Sequence, residues 1–305
     1  MSKPVKKMSH IPVLLKDVLE EAKGTTAKVE VILDVTFGRG GHAAALRDLF
    51  PEAALIGLDQ DADAVAFAEE NFAMWKNFKM VRGNFHNIKE LCANEMLEFL
   101  KGRKFDLILA DLGVSSPQLD EGHRGFSFYH DGPLDMRMDQ RAPVMAKDII
   151  NTWSDEDLIA LFQNYGEIRK PFRVVERILE ARLEKAFETT AELSYLIEKA
   201  EGWKKKGYHP ATQYFMALRL EVNHEIDRLE SSFVSLIESL NPGGRFLVIT
   251  FHSLEDRIVK NLFKERSDLG APVHKKVIQA EWSEKKSNPR ARSAKLRVFE
   301  KGTNP

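Results

Sequence analysis

The sequence predicts an α/β fold in which a parallel-sheet domain is interrupted by an inserted all-helical domain. Short apolar runs that end in an acid alternate with helical patterns through residues 29–111. Only helical patterns follow from about 145 to 206, and a further strand begins at 245. Strands joined by single helices pair in parallel, because parallel neighbours need a crossover connection. We therefore expect a discontinuous first domain, 1–119 with 211–305, and at 120–210 a lid loop plus a helical substrate-recognition insertion.

The individual elements follow from apolar periodicity and from turn residues. Strands are predicted at 29–34, 54–59, 78–81, 105–111 and 245–251, with a terminal pair within 273–298. Helices are predicted at 43–49, 62–74, 88–100, 171–187, 191–203 and 253–266, and over 212–240 with a break near Val222. Another helix begins at Ser154, whose N-cap role is indicated by Asp157 three residues later. Residues 241–244, Asn-Pro-Gly-Gly, predict a turn.

The amino-acid composition excludes several classes of protein. With 45 basic and 46 acidic residues, the net charge of −1 argues against nucleic-acid binding through bulk charge alone. The only cysteine, Cys92, excludes an internal disulfide, and no metal site is predicted. No signal peptide and no apolar run of about 18 residues is present, so we expect a cytoplasmic protein without a membrane span.

The first motif that carries chemistry is the turn from Asp34 to His42, which contains Gly38, Gly40 and Gly41. Glycines at a strand-to-helix turn let the backbone approach a ligand closely. The helix N-terminus that follows offers unpaired N–H donors. The pattern is also that of an ordinary strand-to-helix turn, so alone it indicates a dinucleotide-type site only weakly.

Three acids end predicted strands one, two and four: Asp34, Asp59 and Asp111. Asp59 is placed to accept hydrogen bonds from both ribose hydroxyls of an adenosine, which leaves S-adenosylmethionine and NAD(P) as candidate cofactors. Helix capping explains each acid singly. Together they would repel a diphosphate but would attract the sulfonium and ammonium of S-adenosylmethionine. The set therefore favours a methyltransferase over a dehydrogenase.

Longer motifs are similar to the bacterial 16S rRNA cytosine-N4 methyltransferase family, in order and over nearly the whole chain. They lie at 10–15, 34–42, 111–120, 124–128, 132–138, 209–212, 217–223, 242–245, 251–257 and 288–297. Departures from the family pattern occur at Thr250 and within 162–171.

The resemblance implies a class I S-adenosylmethionine-dependent methyltransferase domain, Rossmann-like, with a helical insertion. It implies methyl transfer to the exocyclic N4 of cytidine 1402 in the decoding centre of 16S rRNA. The partner would be the small ribosomal subunit or its assembly intermediate, and a homodimer is left open. Carried over residue by residue, the cofactor contacts fall on Gly40, Gly41, His42, Asp59, Phe85, Asp111 and Gln118.

The catalytic candidates are Asp111, Ser116 and His252. An exocyclic cytosine amine is a poor nucleophile, because its lone pair is conjugated into the ring. It needs an in-line position and a hydrogen-bond acceptor, which we expect from Asp111 and the loop through Ser116. His252 is the second candidate, although its segment is equally explained by a helix N-cap at Ser253.

RNA contacts are expected from two basic segments. Residues 271–305 contain nine Lys or Arg and three acids, which suits a flexible segment that contacts phosphates, although a solvated tail is the plainer explanation. The second segment is Lys204–Lys206. Four aromatic residues are candidates for stacking on the unstacked target base: Phe126, Phe128, Tyr129 and Trp153. For each of them alone, packing in the core is the plainer explanation. The competing functions are an NAD(P)-dependent dehydrogenase and a non-catalytic RNA-binding or assembly factor.

Overall fold

Two units make up the chain in the computed structural model, which describes residues 11–202 and 208–303. The first unit comprises Met1–Gly113 and Arg228–Pro305, and the second comprises Val114–Asp227. Within the described ranges, no helix is both long enough and apolar enough to cross a membrane. His10 and the predicted RNA contacts Lys204–Lys206 lie outside the described residues.

The first unit begins with an alternation of strands and helices. Its first elements are α1 (Leu15–Lys23), β1 (Val31–Asp34), α2 (Gly41–Leu49), β2 (Ala54–Asp59), α3 (Ala62–Phe72), β3 (Phe78–Arg82), α4 (Ile88–Ala93), α5 (Leu97–Leu100) and β4 (Phe105–Asp111). The predicted bounds of β2 and β4 are confirmed, because each strand is mostly apolar and is buried up to the acid at its end. The predicted helix at 88–100 is instead two short helices.

The second unit is helical. It contains α6 (Ser116–Asp120), α7 (Ala146–Thr152), α8 (Asp155–Asn164), α9 (Phe172–Glu184), α10 (Thr190–Glu201) and α11 (Thr212–Val222). Ser154 caps α8 as predicted, since its Oγ accepts a hydrogen bond from the Asp157 N–H at 3.1 Å. In the loop between α6 and α7, buried Arg124 donates to the carbonyl of Arg137.

The core of this unit is formed by apolar residues of α7 to α11 and of the loop that precedes α7. The division drawn from the sequence assigned residues 211–222 to the first domain. In the structure Tyr214, Phe215 and Leu218 of α11 are buried in the helical core. Their burial places the end of the second unit at Asp227 instead of residue 210.

After the helical unit the chain completes the sheet. The elements are α12 (Leu229–Glu238), β5 (Leu240–Thr250), α13 (Ser253–Glu265), β6 (Gly270–Pro272), β7 (Ile278–Gln279), α14 (Trp282–Ser287) and β8 (Lys295–Lys301). The turn predicted at 241–244 is wrong, because these residues belong to β5. Phe105 of β4 pairs with Leu240 and Leu107 pairs with Arg245, so the four residues form an irregularity within the strand.

The strands form one sheet in the order β3-β2-β1-β4-β5-β8-β6, and β7 also pairs with β8. The first five strands are parallel, whereas β8 is antiparallel to β5 and to β6. Strand β1 lies between β2 and β4, so the order reverses direction there. In an open parallel sheet, ligands bind beyond the carboxyl ends of the strands at such a switch point. The fold thus places the ends of β1, β2 and β4 at one candidate site.

Candidate functional site

The glycine turn lies between β1 and α2, where sequence analysis predicted it. Gly40 is the N-cap of α2 and has a φ of 72°, in the left-handed region. A Cβ there would lie 2.6 Å from the ring of Phe72 and 2.7 Å from the ring of Phe37. Only glycine fits this position, and the next residue, Gly41, begins the helix. At Gly40 and Gly41 the turn therefore has backbone without a side chain.

Two of the three acids are held by backbone N–H groups. Asp34 accepts from the Thr36 N–H at 3.1 Å, and Asp59 accepts from the N–H groups of Gly38 and Asp61 at 2.8 and 2.9 Å. Burial raises the pKa of Asp34 to about 7, and the charge of Asp59 adds to this shift. Burial also raises the pKa of Asp59 to about 6. Asp61, two residues after Asp59, caps the following helix α3, since its carboxylate accepts from the Asp63 N–H.

Of the three acids, Asp111 has the fewest hydrogen bonds to its carboxylate. Its Oδ1 is buried and has no hydrogen-bond partner among the described residues. Its backbone N–H donates to the Thr36 hydroxyl at 2.6 Å, which fixes the end of β4 against the turn after β1. Burial raises the pKa of Asp111 to about 8, and the charges of Asp34 and Glu255 add to the shift. Such a carboxyl is suited to a cation, because an opposite charge nearby would restore its ionised form.

His42 faces Asp111 from the first turn of α2. Its Nδ1 lies 3.6 Å from Asp111 Oδ2, and its Nε2 lies 2.9 Å from the carbonyl oxygen of Val13. Burial lowers the pKa of His42 to about 4, so the ring is neutral at pH 7. The pair is therefore no ion pair, and His42 does not supply the positive charge that would restore the ionised form of Asp111.

His252 caps α13 with its own side chain, so the N-cap predicted at Ser253 is wrong by one residue. Its Nδ1 accepts from the Glu255 N–H at 3.4 Å. Its Nε2 lies 2.9 Å from Glu255 Oε1, without the alignment of a hydrogen bond. Glu255 in turn accepts from the Phe251 N–H at 2.9 Å. This geometry favours a capping role for His252 over the catalytic role predicted from sequence.

Glu255 is the residue that sequence reasoning missed. It is buried, and its charge raises the pKa of Asp111. The available signal was the spacing of His252 and Glu255, a polar N-cap with Glu three residues later, which is the capping-box pattern. With Asp61, whose charge adds to the raised pKa of Asp59, five acids act on one another at this edge.

Phe85 follows β3 in a short 3₁₀ turn and is half-buried, with its ring 6.0 Å from that of Phe233. The structure thus puts Gly40, Gly41, His42, Asp59, Phe85, Asp111 and His252 in the first unit. Two predicted residues, Ser116 and Gln118, belong to the second unit, on α6. The Gln118 Oε1 accepts from the Ser115 N–H at 2.8 Å, which caps that helix.

The basic C-terminal segment is not a flexible tail through residue 303, which corrects the expectation from its composition. It contains β7, α14 and the seven-residue strand β8, which pairs with β5. Lys295 and Arg297 both bind buried Asp256, at 2.8 and 2.7 Å. These two cations stabilise the fold, and Lys275, Lys276, Lys286 and Arg292 are the exposed ones.

The four aromatic candidates differ in burial. Phe126 belongs to the helical core, which accounts for it by packing alone. Trp153 and Phe128 pack partly buried against the same core, and Phe128 also stacks on His209 with the ring centroids 4.5 Å apart. Tyr129 is exposed. Of the four, Tyr129 is therefore the one whose ring is open to a ligand.

The groups at this edge of the sheet can be compared with the chemistry of the cofactor that the sequence implies. S-adenosylmethionine carries a sulfonium and an ammonium cation, and the carboxyl ends of β1, β2 and β4 provide three acids with raised pKa values. The Oδ1 of Asp111, which has no partner among the described residues, and the glycines of the turn complete the set. These residues fit a cationic adenosine derivative. Over residues 11–202 and 208–303, no three His, Cys, Asp or Glu side chains are grouped to hold a metal ion.

The parallel order β3-β2-β1-β4-β5, completed by antiparallel β8, and the glycine turn define a class I methyltransferase domain. The chain belongs to the MraW methylase family, whose sequence model matches residues 7–302. S-adenosylmethionine is the methyl donor of this family, as the strand-end acids predicted.

Three relatives with one name match this chain over nearly its whole length. A protein of Bdellovibrio bacteriovorus named Ribosomal RNA small subunit methyltransferase H is 50% identical over 296 residues, which are 96% of this chain and 88% of that protein. A protein of the same name from Coprothermobacter proteolyticus is 40% identical and covers 97% of both chains. A third, from Symbiobacterium thermophilum, is 39% identical over 96% of both.

Proposed function

We propose that this protein transfers a methyl group from S-adenosylmethionine to the exocyclic N4 of cytidine 1402 in the decoding centre of 16S rRNA. The observation that carries the proposal is the 50% identity, over 96% of the chain, to a relative named as a methyltransferase of small-subunit ribosomal RNA. The choice of N4 and of this cytidine comes from the family motifs. The substrate is the small ribosomal subunit or its assembly intermediate, and the place of action is the cytoplasm.

Cofactor binding is assigned to the edge of the sheet. Gly40 and Gly41 let the backbone approach the methionine part, and Asp59 accepts hydrogen bonds from the ribose hydroxyls. Phe85 packs against the adenine, because it lies in the turn that follows β3 and its ring is only half-buried. His42 is neutral and orders the turn beside Asp111. When bound, S-adenosylmethionine supplies an electrophilic methyl group on a cationic sulfur.

Asp111 is assigned the acceptor role toward the cytosine amine. At pH 7 a carboxyl with a pKa of about 8 is mostly protonated, and a nearby cation shifts it toward the carboxylate. The ionised Oδ1, which has no partner among the described residues, can then accept a hydrogen bond from the amine as its lone pair leaves conjugation. Ser116 is proposed as a second polar contact of the base, and Gln118 as a further cofactor contact.

The decisive test is methylation of small subunits from a bacterial strain that lacks the modification. Mass spectrometry of the 16S rRNA, with and without the protein, locates the methylated nucleotide. We expect one added methyl group on N4 of cytidine 1402. A methyl group on another nucleotide would correct the specificity, and none on any RNA would overturn the proposal.

Two experiments distinguish the proposed function from the two competing ones. Isothermal titration with S-adenosylhomocysteine and with NADH distinguishes a methyltransferase from a dehydrogenase, since only the former binds the first ligand. A non-catalytic assembly factor would bind the small subunit but leave the RNA unmethylated.

A further inference from the structure

Trp282 begins α14 and is 75% exposed. Tryptophan is on average among the well-buried residues, so an exposed indole calls for an explanation. Lys286 lies one helical turn later, and its Nζ is 5.2 Å from the centroid of the Trp282 ring. The cation and the aromatic ring thus share one face of the helix.

Helix α14 is anchored on its other side. The Glu284 carboxylate accepts from the Leu14 N–H at 2.7 Å, and the Asn288 side chain donates to the Ile11 carbonyl at 3.3 Å. Ala280 and Ala291, on either side of the helix, are buried in the core of the first unit. The exposure of Trp282 is therefore a property of an anchored helix rather than of a frayed end.

The segment that contains Trp282, residues 281–292, carries four cations and two acids, and Asp17 of α1 lies near one of those acids, Glu284. The two acids of this segment are engaged by the start of the chain: Glu281 pairs with Lys16 at 3.1 Å, and Glu284 binds the Leu14 N–H. The cations that follow are Lys285, Lys286, Arg290 and Arg292. Arg292 folds back on the helix, since its Nε donates to the Lys285 carbonyl at 3.4 Å. An aromatic ring among cations with few free acids suits a polyanion that carries π-systems.

We propose that Trp282 stacks on an unpaired base of the RNA substrate, while Lys286 and Arg292 contact the flanking phosphates. The proposal rests on the proposed function, since RNA is the polyanion that supplies both bases and phosphates. An anionic membrane is the less suitable partner. A membrane-surface helix needs a continuous apolar face, whereas the six residues of α14, Trp-Ser-Glu-Lys-Lys-Ser, include one large apolar side chain.

The chain contains a matched control. Tyr195 of α10 is also exposed, at 63%, and the Nζ of Lys199 is likewise 5.2 Å from its ring centroid. That helix, however, carries three acids, Glu192, Glu198 and Glu201. Tyr195 therefore has the same aromatic–lysine geometry on a helix whose own residues carry more acids than cations.

The test measures the affinity of the full chain for a fluorescein-labelled single-stranded RNA of about 16 nucleotides by fluorescence anisotropy. Stacking of one base predicts that Trp282→Ala weakens binding about 5-fold or more. Trp282→Phe, which keeps an aromatic face, and the control Tyr195→Ala should each change it less than about 2-fold. Equal urea midpoints of all variants would exclude unfolding as the cause.

Tryptophan fluorescence gives an independent readout. RNA should quench the emission of the wild-type chain, because the stacked indole is in contact with a base. Trp282→Phe should remove the quenching while it keeps most of the affinity. A variant that weakens RNA binding by a general structural effect would lose both together.

The outcomes separate the two proposals. If the wild type methylates 16S rRNA and Trp282→Ala binds RNA with unchanged affinity, the stacking proposal fails and the proposed function stands. If the wild type binds the oligonucleotide through Trp282 but methylates no RNA, the proposed function fails instead. Loss of binding to phosphatidylserine vesicles in Trp282→Ala, with RNA affinity unchanged, would reassign the surface to a membrane.

Discussion

At the residue scale the candidate site depends on Asp111, a carboxylate at the end of an interior strand. Its Oδ1 lacks a partner among the described residues, and burial raises its pKa to about 8. A buried acceptor without a hydrogen bond is unfavourable for folding. A bound cation would remove this cost, which is what the role proposed for Asp111 requires.

We predict that Asp111→Asn lowers the rate of methyl transfer by about 100-fold or more, which is the usual range for loss of a positioned proton acceptor. The amide keeps the shape of the side chain and removes its charge. The measurement is kcat with small subunits, together with the affinity for S-adenosylhomocysteine. Turnover near that of the wild type, at normal cofactor affinity, would remove Asp111 from the mechanism.

The same substitution should stabilise the ligand-free protein, increasingly so as the pH rises. Between its ordinary pKa of 3.8 and the folded value of about 8, Asp111 keeps a proton in the folded state that the unfolded state has lost. The free energy of unfolding of the wild type therefore falls as the pH rises through this window, and the contribution levels off above about 8. Asp111→Asn removes this contribution. Urea unfolding at about pH 5, 6.5 and 8 measures the difference.

A suitable control is Asp48→Asn, because Asp48 is exposed on α2. This variant removes a carboxylate from the surface, so it shows how much of any pH trend is not specific to Asp111. A constant difference for Asp111→Asn would contradict the raised pKa.

At the element scale the turn into α2 depends on a single backbone conformation. Gly40→Ala should lower the free energy of unfolding by about 3 kcal/mol, from left-handed strain plus the overlap of a Cβ with the rings of Phe37 and Phe72. It should also weaken cofactor binding. Gly102→Ala isolates the first effect, because Gly102 has a φ of 80° and a Cβ there would meet no atom within 4 Å. That control should cost about 1 kcal/mol from the backbone strain alone, and equal losses would show that the rings adapt.

The connection between α13 and β8 is the second element-scale feature. Asp256 is buried and binds both Lys295 and Arg297. Asp256→Ala leaves two cations without their partner and should destabilise the chain by about 3 kcal/mol. The solvent-exposed pair of Asp268 with Arg266 offers a comparison, since water and salt screen such a pair and Asp268→Ala should cost much less than Asp256→Ala. Chemical denaturation measures both, and similar values would argue against a structural role for the basic strand.

The elements that sequence could predict are those set by local pattern. The buried runs of β2 and β4 and the Ser154 cap are read directly from residue types. The bulge at 241–244 could not be, because Asn-Pro-Gly-Gly is a turn sequence and only pairing with β4 keeps it in a strand. The order of the C-terminal segment likewise depends on Asp256 and β5, which are distant in sequence.

For the candidate site, the strand-end acids followed from position alone. Glu255 did not, because its effect on Asp111 arises where the N-terminus of α13 meets the end of a neighbouring strand. The capping geometry of His252 also needed coordinates, since a histidine near a strand end suggests chemistry as readily as a cap.

At the scale of the whole molecule, the acids of the site and the bases of the C-terminal segment explain how a net charge of −1 is compatible with a nucleic-acid substrate. Charge is segregated within the first unit rather than spread over it. Cations near α14 would face phosphates, while carboxylates at the sheet edge would face the methyl donor.

Hydrogen–deuterium exchange with S-adenosylhomocysteine should map this division. We predict protection in peptides that cover the glycine turn and the end of β4, because the ligand contacts backbone there. Helices α8 to α10, which have a core of their own, should be unchanged. Protection spread evenly over both units would contradict a cofactor site built on the sheet edge.

The position of the helical unit within the chain bears on how the protein is synthesised. Strands β4 and β5 are neighbours in the sheet, yet the chain makes the whole of Val114–Asp227 between them. During translation, one edge of β4 therefore stays unpaired while the ribosome synthesises the helical residues. Exposed apolar strand edges promote aggregation, whereas local helical contacts form quickly. Early folding of the inserted helices would keep the nascent chain compact until β5 arrives to close the sheet.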